Sequence, residues 1–278
     1  MKLYFILCLC LLIFWGCTEN PLLPTESEIV VQAFLYDHGT VSDVYVGRSK
    51  SLGSTDSTNQ PITTAMVTLQ KNGTNYQLVS DASREGYYIY SGTDLAIATG
   101  DKYSLQVIAD GTTVTAETIV PPKPVAVSIS KSVISFTTET ISTPMGSITR
   151  ISLSDTVDIQ WSNPTNELYF VVVKSVDSNR TSISTDTMRF FPGGGVPGGI
   201  SISRPTTENA YRLSEMQLRY TGMYYAYVYR VNKEYADLYK SREQDSRNLT
   251  EPLTNIKNGL GVFSAFASDT VSFTVVKK

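Results

Sequence analysis

Two dipeptides constrain this chain most: Asn72-Gly73 and Asp110-Gly111. Each separates two short runs in which apolar and polar residues alternate. Asn, Asp and Gly accept the positive φ angles of a tight primed turn, whose twist matches that of paired strands. Each dipeptide therefore marks a hairpin: Ala65 to Leu69 with Tyr76 to Leu78, and Tyr103 to Val107 with Val114 to Thr118. The rest of residues 28–122 follows the same pattern. Ile29, Val31, Ala33 and Leu35 alternate with Val30, Gln32, Phe34 and Tyr36, a period of two that fits a strand. Asp37-His38-Gly39 turns into a second strand, Val41 to Arg48. Ser49 to Gln60 is rich in Ser, Thr, Gly and Asn and reads as an exposed loop, and Tyr87 to Tyr90 as another strand. About seven short strands, with no helical period between them, predict an antiparallel β-sandwich over 28–122.

Pro121, Pro122 and Pro124 cannot continue a ladder, so they form a stiff connector and a domain boundary. Beyond it, Val125 to Phe136 alternates apolar residues with Ser and predicts a strand, whereas polar Thr137 to Ser147 predicts a loop. Val157, Ile159 and Trp161 share a strand face that Asn163-Pro164 ends. Trp161 is similar to the buried Trp of immunoglobulin-like sandwiches and reads as core. Leu168 to Val173 is continuously apolar, which suits a central strand. Residues 211–239 hold eight of the 17 tyrosines. Tyr225, Tyr227 and Tyr229 share one face of a strand; Tyr224, Ala226 and Val228 share the other. Asn232 suits the N-cap of a short helix on which Tyr235, Leu238, Tyr239 and Arg242 form one face. Asn255, Asn258, Gly259 and Gly261 predict turns that lay Val262 and Phe263 into the core, and Thr270 to Val276 is the last strand. The expected fold is mostly β, with two antiparallel β-sandwich domains of immunoglobulin or transthyretin type. They occupy 28–122 and 125–278, the second carrying a loop and one short helix.

Composition narrows the chemistry. The net charge is −3 with no basic stripe, which argues against nucleic acid as a partner. His38 is the single histidine and sits in a turn, a poor place for a catalytic triad or a transition-metal site. Gly193-Gly194-Gly195 precedes Pro197 and a β-like Ile200-Ser201-Ile202, where a phosphate cradle would need a helix. Ser128-x-x-Lys131 lies on a β pattern, without the partner motifs of penicillin-binding enzymes. Asp155 with Asp158, and Asp177 with Asn179, lack an EF-hand pattern and read as solvated loops. Neither a catalytic residue, a cofactor nor a metal is expected. A carboxylate pair brought together from distant positions, as glycoside hydrolysis requires, stays open.

The N-terminus sets the compartment. Lys2 precedes an unbroken apolar run of 13 residues, Leu3 to Trp15. A spanning helix needs about 20 apolar residues, so the run has signal-peptide length. Phe14-Trp15-Gly16-Cys17 resembles a lipobox, with Phe14 in place of the usual Leu and Trp15 in place of a small residue. Cleavage of residues 1–16 would leave Cys17 lipidated, followed by a proline-bearing tether over 17–27. Cys8 and Cys10 leave with the signal, so the mature chain has no disulfide. Several acyl chains together hold a protein stably on a membrane. Thr18, rather than Asp, follows Cys17 and resembles the outer-membrane sorting pattern of enteric lipoproteins, which implies the outer membrane, with its periplasmic and cell-surface faces both open.

Pro61 to Ala109 resembles transthyretin-like and carboxypeptidase-regulatory-like modules, through Gly86-Tyr87-Tyr88 and Gly100-Asp101-Lys102-Tyr103-Ser104-Leu105. Over the whole mature chain the order of lipobox, Val-Pro-Pro connector, Trp-bearing half, tyrosine-rich strand and Asn255 to Phe263 resembles the Bacteroidota lipoproteins of domain of unknown function 4249. That resemblance implies a non-enzymatic accessory lipoprotein of a TonB-dependent outer-membrane receptor, and carries no catalytic residues. The expected contact residues are Phe190 and Phe191 beside the glycine-rich loop, and Tyr224, Tyr225, Tyr227 and Tyr229. Tyrosine offers a rigid apolar face with a polar tip, so the same rings would also serve a glycan-binding or adhesion surface. A core strand under a covering helix is the third reading of those tyrosines.

Overall fold

The computed structural model describes residues 27–50, 60–143, 146–178, 180–183, 199–214, 217–241 and 254–278. Among them the chain is mostly β, with one helix. Its first half contains β1 (Ile29–Tyr36), β2 (Asp43–Arg48), β3 (Gln60–Pro61), β4 (Met66–Lys71), β5 (Thr74–Ser80), β6 (Tyr87–Ile89), β7 (Lys102–Ala109) and β8 (Thr112–Ile119). Both expected hairpins form. Asn72 and Gly73 have φ values of 50° and 81°, and Asp110 and Gly111 of 52° and 76°. The Asp37-His38 turn also forms, with His38 at φ 58° and the Gly39 N–H donating to the Tyr36 carbonyl at 2.8 Å.

The second half contains β9 (Val125–Ile129), β10 (Val133–Thr143), β11 (Gly146–Leu153), β12 (Asp158–Ser162), β13 (Tyr169–Ser175), β14 (Ile200–Ile202), β15 (Ala210–Arg212) and β16 (Gly222–Val231). Helix α1 (Lys233–Ser241), β17 (Ile256–Lys257) and β18 (Leu260–Lys277) complete it. The polar stretch 137–147 departs from the expected loop: β10 and β11 pair antiparallel from Phe136–Leu153 to Thr143–Gly146. Its Thr and Ile side chains are β-branched and fit a pleated strand. Polarity over 137–142 marks solvated strand faces rather than a break.

Strand β18 organises the molecule. It runs parallel to β1 through Val30–Leu260 to Tyr36–Phe266, then antiparallel to β16 through Val231–Phe266 to Gly222–Val275. Its last residues run parallel to β10. The expected purely antiparallel sheets are thus mixed. The main sheet runs β14-β13-β16-β18-β1-β2-β6-β5-β4-β7-β8-β17 and folds over at β5, which pairs with both β4 and β6.

Two large buried clusters result. The first lies between β1, β2, β6 and β18 on one side and β4, β7 and β8 on the other. It includes Val31, Leu35, Val46, Leu69, Leu105 and Phe263. The second lies between β13, β16 and β18 and the small sheet β15-β12-β9, and includes Trp161, Val171, Tyr224, Val228 and Phe273. Trp161 is core, as its alternation implied. The assignment of all of 125–278 to the second sandwich needs correcting. Ile256, Phe263, Ala265 and Ala267 pack into the first core. Strand β1 has two edges, and β2 satisfies only one. The other needs a partner of matching alternation, which the N-terminal half of β18 supplies.

Candidate functional site

The tyrosine-rich strand divides as its period of two demands. Tyr224 is 0% exposed and stacks on Phe273 at 5.3 Å and 10°. Its hydroxyl donates to the Tyr220 carbonyl at 3.0 Å and accepts from the Tyr220 N–H at 2.9 Å. Tyr224 is therefore a core residue with a satisfied polar tip, and the expectation that it makes contacts with a partner is corrected. Tyr225, Tyr227 and Tyr229 are half-buried on the opposite, outer face.

On that face the rings touch one another. Tyr227 lies 6.1 Å from Tyr225 and 6.2 Å from Tyr229. Tyr229 stacks on Phe170 at 4.9 Å and 10°, and meets Tyr36 edge-on at 6.1 Å. Tyr36 stacks on Phe266 at 5.3 Å, and Phe266 meets Tyr235 of α1 at 5.2 Å. The aromatic array thus crosses β13, β16, β18 and β1 and ends under the helix. Burial, reinforced by the Asp43 carboxylate, pushes the Tyr36 phenol well above the usual tyrosine range, and burial also raises Tyr229. Cross-strand register continues the face outward as Tyr227, Val172 and Ile202, the last 62% exposed.

Helix α1 is positioned as its cap residue predicts. The Asn232 Oδ1 accepts the Tyr235 N–H at 3.3 Å and the Ser264 hydroxyl at 2.6 Å, while Nδ2 donates to Thr118 Oγ1 at 2.5 Å. All three side chains are buried. One amide therefore ties α1 to β8 and β18. Tyr235, Ala236 and Tyr239 pack onto the aromatic array; Arg242 lies outside the described residues.

Cys17, Phe190 and Phe191 lie outside the described residues, as does the glycine-rich loop except for Gly199. Its carbonyl accepts the Ser175 N–H at 2.9 Å. The Ser128-x-x-Lys131 match falls on β9 and its sequel, and Lys131 pairs with Asp155 at 2.7 Å. Asp158 holds Arg212 at 2.9 Å. His38 is 73% exposed, 3.6 Å from Asp37, whose carboxylate also meets Lys123 at 3.1 Å. Among the described residues no three His, Cys, Asp or Glu side chains converge as a metal site, and no helix is long and apolar enough to cross a membrane.

Sequence reasoning missed a cleft of about 720 Å³ on the outer face of β4, β7 and β8. Its floor consists of two cross-strand rows. One runs Asn75, Gln70, Ser104, Glu117; the other runs Thr68, Gln106, Thr115, Lys257. Glu234 of α1 and the stretch Thr254 to Lys257 form its walls. Asn255 anchors that wall: its amide donates to the Phe263 and Glu117 carbonyls at 2.7 and 3.0 Å and accepts the Phe263 N–H at 2.9 Å. Burial raises the Glu234 carboxyl, and Lys102 lowers Glu117. No local motif announces the floor residues. Each is an ordinary polar position on a solvated strand face, and only register brings them together.

A crystal structure of domains A168-A170 from titin is similar over 90% of this chain and 66% of its own length, a little under two thirds. Identity is 10% and the TM-score 0.20. No curated protein matches. The family described as Domain of unknown function (DUF4249) matches residues 18–272, nearly the whole chain, and the chain belongs to it.

Proposed function

We propose that this protein is a lipid-anchored outer-membrane protein that performs no chemistry and docks onto a TonB-dependent receptor through the outer face of β16. The observation that carries this reading is the ring array. Tyr225 and Tyr227 lie at its open end, beside Val172 and exposed Ile202, while α1 packs on the other end. Aromatic residues are enriched at protein interfaces, and rings braced against one another lose little further freedom on docking. The lipobox-like Phe14 to Cys17 and the proline-bearing sequence that follows it support attachment to a membrane.

The array suits a protein partner better than a sugar. Tyr225 and Tyr227 are inclined at 71°, so they form no shared flat platform. The test is a mild-detergent pull-down of the lipidated protein with mass spectrometry of its companions. A stoichiometric outer-membrane receptor, lost from the Tyr225→Ala/Tyr227→Ala variant, is the expected result. A protein recovered alone, or a receptor retained by that variant, refutes the reading.

A further inference from the structure

We infer that the cleft between β4, β7, β8 and the Thr254 to Lys257 wall is a binding site for a neutral, hydroxyl-rich saccharide. The floor is a grid of side chains that both donate and accept hydrogen bonds. Amides and hydroxyls have this double capacity, and so do the vicinal hydroxyls of a sugar. Some of it is already used within the floor: Gln70 Nε2 donates to Asn75 Oδ1 at 2.9 Å, and Ser104 Oγ to Glu117 Oε1 at 3.3 Å. These bonds orient the side chains and leave Gln70 Oε1, the second Gln70 Nε2 hydrogen and the Asn75 Nδ2 hydrogens for a ligand. Gln106 and Thr115, in the middle of the second row, hydrogen-bond through their side chains to no protein group among the described residues. Adjacent strands are about 4.8 Å apart, so neighbouring groups in a row are spaced on the scale of a pyranose ring.

The chemistry of the cleft disfavours anionic and apolar ligands. Glu117 and Glu234 both line it, and the lining cation is Lys257. Lys102, close by, is engaged with Glu117 at 2.8 Å. An anionic ligand would meet two carboxylates. An apolar ligand would meet a floor whose aliphatic members Leu105 and Ala116 are themselves buried. The wall is preorganised, because Thr254 Oγ1 donates to the Gly261 carbonyl at 2.8 Å and Asn255 is held at three points. The cleft lies on the face of β4, β7 and β8 rather than on the outer face of β16, and saccharide binding there needs no receptor.

The experiment is calorimetric titration of the mature lipidated protein in a detergent without a sugar headgroup. The probes are neutral hexasaccharides of glucose, mannose, xylose and galactose, with a polygalacturonate hexamer as the anionic comparator. At least one neutral hexamer is expected to bind. The Gln70→Ala/Gln106→Ala variant should weaken it at least tenfold and Thr115→Ala by a smaller factor, whereas Tyr227→Ala should leave it unchanged. Both glutamines are exposed on a sheet face, so circular dichroism of the variant should match the parent. Binding of none of the neutral hexamers, binding of the anionic hexamer alone, or binding unaffected by the glutamine variant overturns the inference.

Discussion

Replacing Gly261 by Ala tests whether close backbone contact holds β18 in register against β1. Gly261 lies opposite Val31 in the parallel ladder, with φ at 114°. A Cβ added there would fall 2.8 Å from the Val31 carbonyl carbon and 3.1 Å from its amide nitrogen, with the carbonyl oxygen closer still. These neighbours are backbone and cannot rotate away. Two costs combine. Holding an L-residue in a sparsely populated backbone region costs about 1–3 kcal/mol. Forcing extra volume against packed strands costs about 1–3 kcal/mol more. Their sum is a substantial part of the roughly 5–15 kcal/mol that keeps a domain folded. Gly73→Ala is the control, since Gly73 has φ 81° and nothing within 4 Å of its Cβ, so the backbone cost alone remains. The assay is urea denaturation followed by far-ultraviolet circular dichroism and by the fluorescence of Trp161, which sits in the second core. Each kcal/mol should move the midpoint by about 0.3–1 M urea. Because β18 serves both cores, both signals should shift together for Gly261→Ala, and further than for Gly73→Ala. Equal midpoints for the two variants would refute the steric argument.

Asn232→Ala should cost about 2–4 kcal/mol, because it removes the helix cap and strands two buried hydroxyls. Thermal unfolding measures this, and a double-mutant cycle with Ser264→Ala should show non-additive losses. Phe273→Ala, removing a ring 2% exposed against Tyr224, should cost about 3–5 kcal/mol and redshift the Trp161 emission; a loss below about 1 kcal/mol would show that the second core does not depend on that stack. The Asp81 carboxyl is held at about 2 by hydrogen bonds from Ser83 and then Arg84. A depressed folded value means its contribution is complete above the unfolded value of 3.8 and is lost as pH falls toward about 2. Carboxyl carbon titration by magnetic resonance should place its midpoint near the lower figure, and a midpoint near 4 would contradict the observed hydrogen bonds.

Much of the fold is legible in local patterns. Asn72-Gly73 and Asp110-Gly111 turn where they must, because positive φ values are properties of those residues themselves. Val157, Ile159 and Trp161 point inward together, as period two requires. Asn232 caps the helix it precedes. The residues 137–147 misled because a Thr-rich strand with solvated faces and a polar loop share a composition. Tyr224 misled because a list of tyrosines ignores which face each one takes: alternation alone sends Tyr224 with Ala226 and Val228 into the core and Tyr225 with Tyr227 outward.

The amino-acid sequence by itself determined where strands begin, where they turn and which side chains share a face, since these follow from backbone preference and the two-residue pleat. Tertiary structure alone decided which edges meet. Nothing near Leu260 announces that it will pair with Val30 while Val275, on the same strand, pairs with Gly222. Such pairing closes a loop nearly as long as the chain, and it is selected only when both cores can be filled at once. The cleft follows from that choice. Gln70, Gln106, Glu117 and Lys257 become neighbours through strand register, and the Asn255 wall stands over them because β18 has taken the free edge of β1.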